Sequence, residues 1–136
     1  FSIKIKSQLL NLITYGIALL LLLTAIVYYD KAYTSITFSL LAAFLILQRV
    51  LFKNYIEHNF YPAFLISILP FMLVNGVLTA NPVVIYNNAE NLGIRITTIP
   101  FEDFWYGMLL ILMNVVIVEL LRKRSLTKSE LNEQNF

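Results

Sequence analysis

The chain has 136 residues, 59% hydrophobic and 13% charged, with a net charge of +2 and a mean hydropathy of +0.74. A soluble domain is about one quarter charged, so a body wetted on every side is excluded, and so small a positive excess gives no grip on nucleic acid. The absence of cysteine removes disulfides, thiolate chemistry and cysteine-based metal sites.

Charge is missing from Ser7 to Tyr29, Ala32 to Gln48, Phe60 to Ala89 and Phe104 to Val118. Apolar windows of that size cross a hydrocarbon layer of roughly 30 Å at about 1.5 Å per residue. They predict an all-α, integral membrane bundle of four helices at Leu9–Tyr29, Tyr33–Phe52, Phe60–Leu78 and Phe101–Leu121. The first follows a chain start at Phe1 rather than Met, read as the edge of a fragment whose upstream sequence has been removed. It is too long, and lacks the cleavage site, for a signal peptide. Tyr28, Tyr29 and Tyr33 fit an interfacial aromatic belt. The second and third helices join through the polar link Lys53–Asn59, where the lone His58 is read as solvated, and one histidine makes no zinc site. Pro70 is expected to kink the third helix. The loop Thr79–Pro100 carries turn chemistry at Asn81-Pro82, Asn87-Asn88 and Gly93. Residues 1–121 form the transmembrane domain, and 122–136 are expected to be a loose, polar, cytoplasmic tail.

Alternation of four helices puts Lys4, Lys6, Arg49, Lys53, Arg122, Lys123, Arg124 and Lys128 on one face and only Lys31 and Arg95 on the other. Basic residues collect on the cytoplasmic side, so both termini are expected there, in a bacterial cytoplasmic membrane. Glu102 and Asp103 then open the last helix near the opposite surface. Acidic residues suit a helix N-terminus electrostatically, yet a carboxyl beside hydrocarbon is costly and a functional suspect. Neighbouring side chains diverge by about 100°, so Asp103 shares a face with Gly107, Leu110 and Asn114, and Glu102 with Tyr106, Leu109 and Met113. Asn75 and Thr79 form a second polar stripe, either helix glue or ligand contacts. Glu119 is assigned to an ion pair with Arg122. No phosphate-binding or dinucleotide motif occurs, and no cofactor or metal is implied.

The runs PFMLVNGVLT (Pro70–Thr79) and NPVVIYNNAENLGIRITTIPFEDFWYG (Asn81–Gly107), followed by a long apolar helix, resemble the lycopene cyclase domain family. These are small membrane-embedded carotenoid cyclases, built as two subunits or fused halves. The motifs that carry the resemblance are Pro-Val-Val-x-Tyr-Asn, Gly-x-Arg-Ile and Ile-Pro-x-Glu-Asp-Phe. Family members have two similar halves, each with its own Pro-x-Glu-Glu/Asp motif. This chain has one and looks like the second half, which implies a missing N-terminal half or a homologous partner subunit.

The resemblance implies lycopene or a related carotenoid as substrate, dissolved in the lipid bilayer. Protonation of a terminal double bond gives a tertiary carbocation, the neighbouring alkene closes a six-membered ring, and loss of a proton ends the step without net redox change. A carboxyl in apolar surroundings resists ionisation. The resemblance thus points to Glu102 as proton donor and Asp103 as stabilising carboxylate or base. Phe101, Phe104, Trp105 and Tyr106 would stabilise the cation, with Tyr86, Asn87 and Arg95 fixing the carboxyls and Asn75 lining the site. Two rival readings predict otherwise. A non-catalytic subunit tolerates neutral residues at 102 and 103, and a small transporter uses Asn75, Asp103 and Asn114 as a solute path.

Overall fold

A computed structural model describes residues 6–52, 56–81 and 83–133, without the side chains of positions 57, 58 and 127–133. Lys4, Lys53 and the side chains of His58 and Lys128 therefore lie outside the described parts. Four helices follow in chain order: α1 (Ser7–Val27), α2 (Ala32–Phe52), α3 (Glu57–Ala80) and α4 (Phe101–Glu133). All four are long and apolar enough to cross a membrane. The one strand pair among the described residues is a short antiparallel ladder, β1 (Arg95–Ile96) with β2 (Ile99–Pro100).

Two expectations on extent are corrected. Helix α3 starts at Glu57, so the end of the expected link, from Glu57 to Asn59, belongs to its first turn. Helix α4 does not stop at Leu121 but runs to Glu133. Hydropathy falls at Arg122, but Leu, Lys, Arg and Glu are all good helix formers, so the helix continues after its apolar surface has ended.

The core is a three-helix affair. Leu10, Thr14, Ala18, Leu21 and Ala25 recur every three or four residues on α1 and make one buried stripe. They meet α2, whose own buried residues include Phe38, Leu41, Ala42 and Leu45. Helix α2 is also packed against α4, which contributes Met108, Leu109, Leu112 and Val116. Helix α3 stands apart: Phe60 is buried, but no residue from Tyr61 to Ala80 is. It remains helical through Pro62 and Pro70, although each ring removes one backbone hydrogen bond.

The loop between α3 and α4 is tied back at several points. The carbonyl of Glu90 accepts from the amides of Tyr33 (3.0 Å) and Thr34 (3.4 Å), and its carboxylate from that of Ala32 (3.3 Å). This supplies partners to amides that any helix start leaves open. The buried Asn91 accepts through Oδ1 from the amide of Gly93 (2.8 Å), which has φ of 73°; such a backbone favours glycine. Thr79 on α3 and Thr98 in the turn of the ladder share a hydroxyl hydrogen bond of 2.6 Å. The ladder then leads directly into α4.

Candidate active site

Glu102 and Asp103 sit in the first turn of α4 and are 0% and 4% exposed. As their helical spacing requires, they point apart and find separate partners. Asp103 accepts from the phenols of Tyr33 (2.6 Å to Oδ1) and Tyr86 (2.5 Å to Oδ2). Glu102 accepts through Oε1 from the Thr34 hydroxyl and the Leu92 amide, both at 2.7 Å. Its Oε2 is buried without a hydrogen-bond partner among the described residues.

The sequence explains the pairing. Tyr33 and Thr34 are neighbours at the start of α2, just as Glu102 and Asp103 are neighbours at the start of α4. Both helix starts lie at the end of the bundle where the Glu90 loop caps α2. One adjacent pair meets the other, phenol to Asp103 and hydroxyl to Glu102. Tyr86 arrives from the loop, and its ring lies 6.2 Å from that of Tyr33. Burial pushes the Tyr86 phenol well above the ordinary tyrosine range; the hydrogen bond to Asp103 and that carboxyl's charge push the same way, and Arg95 opposes them. Tyr86 therefore holds its proton and acts as a donor.

Asp103 lines a cavity of about 420 Å³ together with Tyr33, Tyr86, Tyr106, Asn75 and Phe71. Glu102 lines none of the described cavities and faces the packing between α2 and the loop. Beside it, a second cavity of about 380 Å³ is walled by Phe101, Phe104 and Trp105 with Phe64 and Met72.

The residues expected from the sequence divide accordingly. Tyr86, Asn75 and Tyr106 join Asp103. Phe101, Phe104 and Trp105 serve the neighbouring apolar cavity, with Phe101 and Trp105 edge to face at 5.9 Å. Arg95 does not reach either carboxyl: it donates to Asn88 (2.7 Å) and the Thr98 carbonyl (3.1 Å), with its guanidinium 5.9 Å from the Tyr86 ring centre. Asn87 is also displaced, because its side chain caps the local turn at the Ala89 amide (3.0 Å). Asn114, placed on the Asp103 face by spacing, is exposed and bonds back to Leu110 (2.8 Å). Thr79 is glue, spent on the Asn75 carbonyl and Thr98. Glu119 pairs with Arg122 at 3.5 Å, as its spacing suggested.

Three partners were missed: Tyr33, Thr34 and the Leu92 amide. Tyr28 and Tyr29 are exposed, as an interfacial belt requires, but Tyr33 is part of the site. No cluster of His, Asp or Glu suited to a metal is present among the described residues.

Such a chain is a helical protein of membrane-spanning dimensions, with two buried carboxyls held at one helix head next to an apolar cavity. Its sequence matches the family profile described as lycopene cyclase over residues 30–121. The match takes in α2, α3 and the spanning part of α4, with every residue of the site. The chain belongs to the lycopene cyclase family, and its function is related to carotenoid cyclisation and biosynthesis. No curated protein and no solved structure matches it.

Proposed function

We propose that this chain carries the acid–base chemistry of a lycopene-type cyclase, an isomerase that turns a linear polyene end into a six-membered ring. The observation that supports this is the pair of buried, divergent carboxyls beside an apolar, aromatic-walled cavity. A carbocation formed there is kept from water, which would otherwise trap it.

Asp103, on the cavity wall, stabilises the developing cation, held in place by Tyr33 and Tyr86. Glu102, with its buried Oε2, is the proposed source of the proton; because only Asp103 of the pair lines a described cavity, its access to the substrate depends on the second half that completes the site. After the ring has closed, the cyclic cation loses one proton to the carboxyl pair, so atoms and charge balance over a cycle. The unburied surface of α3 supports a further proposal: the site works together with a second, similar half, covalently attached or separate.

The decisive measurement is carotenoid analysis of a lycopene-accumulating host expressing the chain with and without a first half. Glu102→Gln and Asp103→Asn are both expected to leave lycopene unconverted while the protein stays in the membrane. Conversion by the Glu102→Gln variant, with Asp103→Asn inactive, moves the acid to Asp103. Conversion by both variants with the first half present reduces this chain to a non-catalytic subunit.

A further inference from the structure

The cavity at Asp103 does not end there. It shares Phe71, Gly107 and Ile111 with a narrow void of about 70 Å³. That void shares Phe64, Ile68 and Phe104 with the apolar cavity of about 380 Å³. The latter in turn shares Phe64 and Trp105 with a cavity of about 480 Å³ that opens between α3 and α1 at Leu10, Ile13 and Ile17. The cavities thus follow α3 from Asn75 down to Tyr61, a path of about 21 Å at a rise of about 1.5 Å per residue.

We propose that this seam is the binding groove of a linear, conjugated polyene, whose reacting end lies at Asp103 and whose body lies along α3. The proposal rests on the cyclase reading above. Its polarity fits one occupant. Carboxyl groups occur only at the Asp103 end; beyond it Ser67 lines the narrow void, and the two larger cavities are lined by apolar side chains and by Tyr61, whose hydroxyl is taken up by Thr14 at 2.7 Å. The walls are largely aromatic, through Phe64, Phe101, Phe104 and Trp105. Flat rings pack against a rigid conjugated chain over large areas, while a flexible acyl tail has no need of them. The path is also why α3 stands away from the core: helices packed directly against each other would leave no such space.

The narrow void is the throat. Phe71 and Phe104 meet there with ring centres 5.2 Å apart, and a Cβ added at Gly107 would lie 3.4 Å from the Phe71 ring. Gly107 is therefore the position that lets a chain pass between the apolar groove and the carboxyl.

Trp105 is the only tryptophan and lines both large cavities, so it reports on the groove without any label. The experiment titrates the full chain, in vesicles of saturated phosphatidylcholine, with a conjugated tetraene hydrocarbon and follows Trp105 emission. Saturable quenching is expected, and a saturated alkane of equal length should give none. Asp103→Asn should keep the quenching while losing conversion, which separates binding from chemistry. Gly107→Leu should also keep it, since Trp105 lies beyond the throat, but lower cyclisation by about tenfold or more, the scale of one misplaced methylene. Gly107→Ala, whose single methyl asks little of the Phe71 ring, provides an intermediate loss even if the larger variant fails to fold. Quenching that is merely collisional, or that is competed away by longer acyl chains in the vesicle, overturns the groove and makes it a lipid seam. So does undiminished cyclisation by both Gly107 variants. None of the binding results depends on turnover, so failure of the cyclase reading would appear separately, as no conversion by the unaltered chain with a first half present or as conversion by both carboxyl variants.

Discussion

Asp103 owes its position to two phenols rather than to any cation. Both Tyr33 and Tyr86 donate, one to each oxygen, and each bond to a charged acceptor contributes about 1.5 to 3 kcal/mol. Replacing either ring by Phe keeps its shape and removes one donor. Tyr33→Phe and Tyr86→Phe should each lower cyclisation by about tenfold, since about 1.4 kcal/mol is a factor of ten in rate. Chromatography of products per unit of membrane protein measures this, and wild-type conversion by both variants would remove the phenols from the site. Tyr86 also predicts an alkaline limit. Its folded phenol holds the proton more strongly than the unfolded one, through burial first and Asp103 second. That contribution is complete below the ordinary tyrosine value of about 10 and is lost as pH rises toward the folded value. Unfolding of the purified protein should become easier above about pH 10, and Tyr86→Phe should flatten that slope.

At the level of elements, the site is a join between two helix starts. The Tyr33–Thr34 pair of α2 engages the Glu102–Asp103 pair of α4, and Glu90 closes the α2 end of the join. Thr34→Val keeps the side-chain shape and deprives Glu102 of one donor, a loss expected to cost about 1 to 3 kcal/mol because the carboxyl is fully buried. Thr37→Val, also buried on α2 but outside the join, should cost less; equal losses in a denaturant titration would show that Thr34 acts through packing alone. How legible this was in the sequence differs from part to part. The helices were readable because charge-free windows of spanning length have few other uses. The divergence of the two carboxyls followed from helical geometry alone. Tyr33 was not readable, because an aromatic ring at a helix start looks the same whether it faces lipid headgroups or a carboxyl. The signal available was positional: two adjacent polar pairs, each opening a helix at the same end of the bundle. Phe101, Phe104, Trp105 and Met108 held a second signal, since their i, i+3, i+4, i+7 spacing puts them on one face. Arg95 and Asn87 misled for a related reason, as short loops absorb polar side chains in their own turns.

For the whole molecule, the two ends differ in how many cations they carry. At the site end, Lys31 donates to the Ala89 carbonyl (3.5 Å) and Arg95 to Asn88 and Thr98. At the other end, α4 continues beyond Leu121 as a charged helix bearing the exposed Arg122, Lys123 and Arg124. Lys123 also reaches the Leu51 carbonyl (3.3 Å) and lies 4.2 Å from the Phe52 ring centre, so the α2 terminus and the α4 extension share one basic end. Basic residues near spanning helices favour the cytoplasmic side. We therefore propose that the Asp103 end faces outward and the α4 extension inward. The chain has no cysteine, so an introduced one is an unambiguous probe. Asn88→Cys, on the exposed loop, should react with a membrane-impermeant maleimide in intact cells. Ser125→Cys, on the exposed side of α4, should react only after permeabilisation. The reverse pattern would turn the protein over and place the proton donor near the cytoplasmic surface, with a different supply of protons to Glu102.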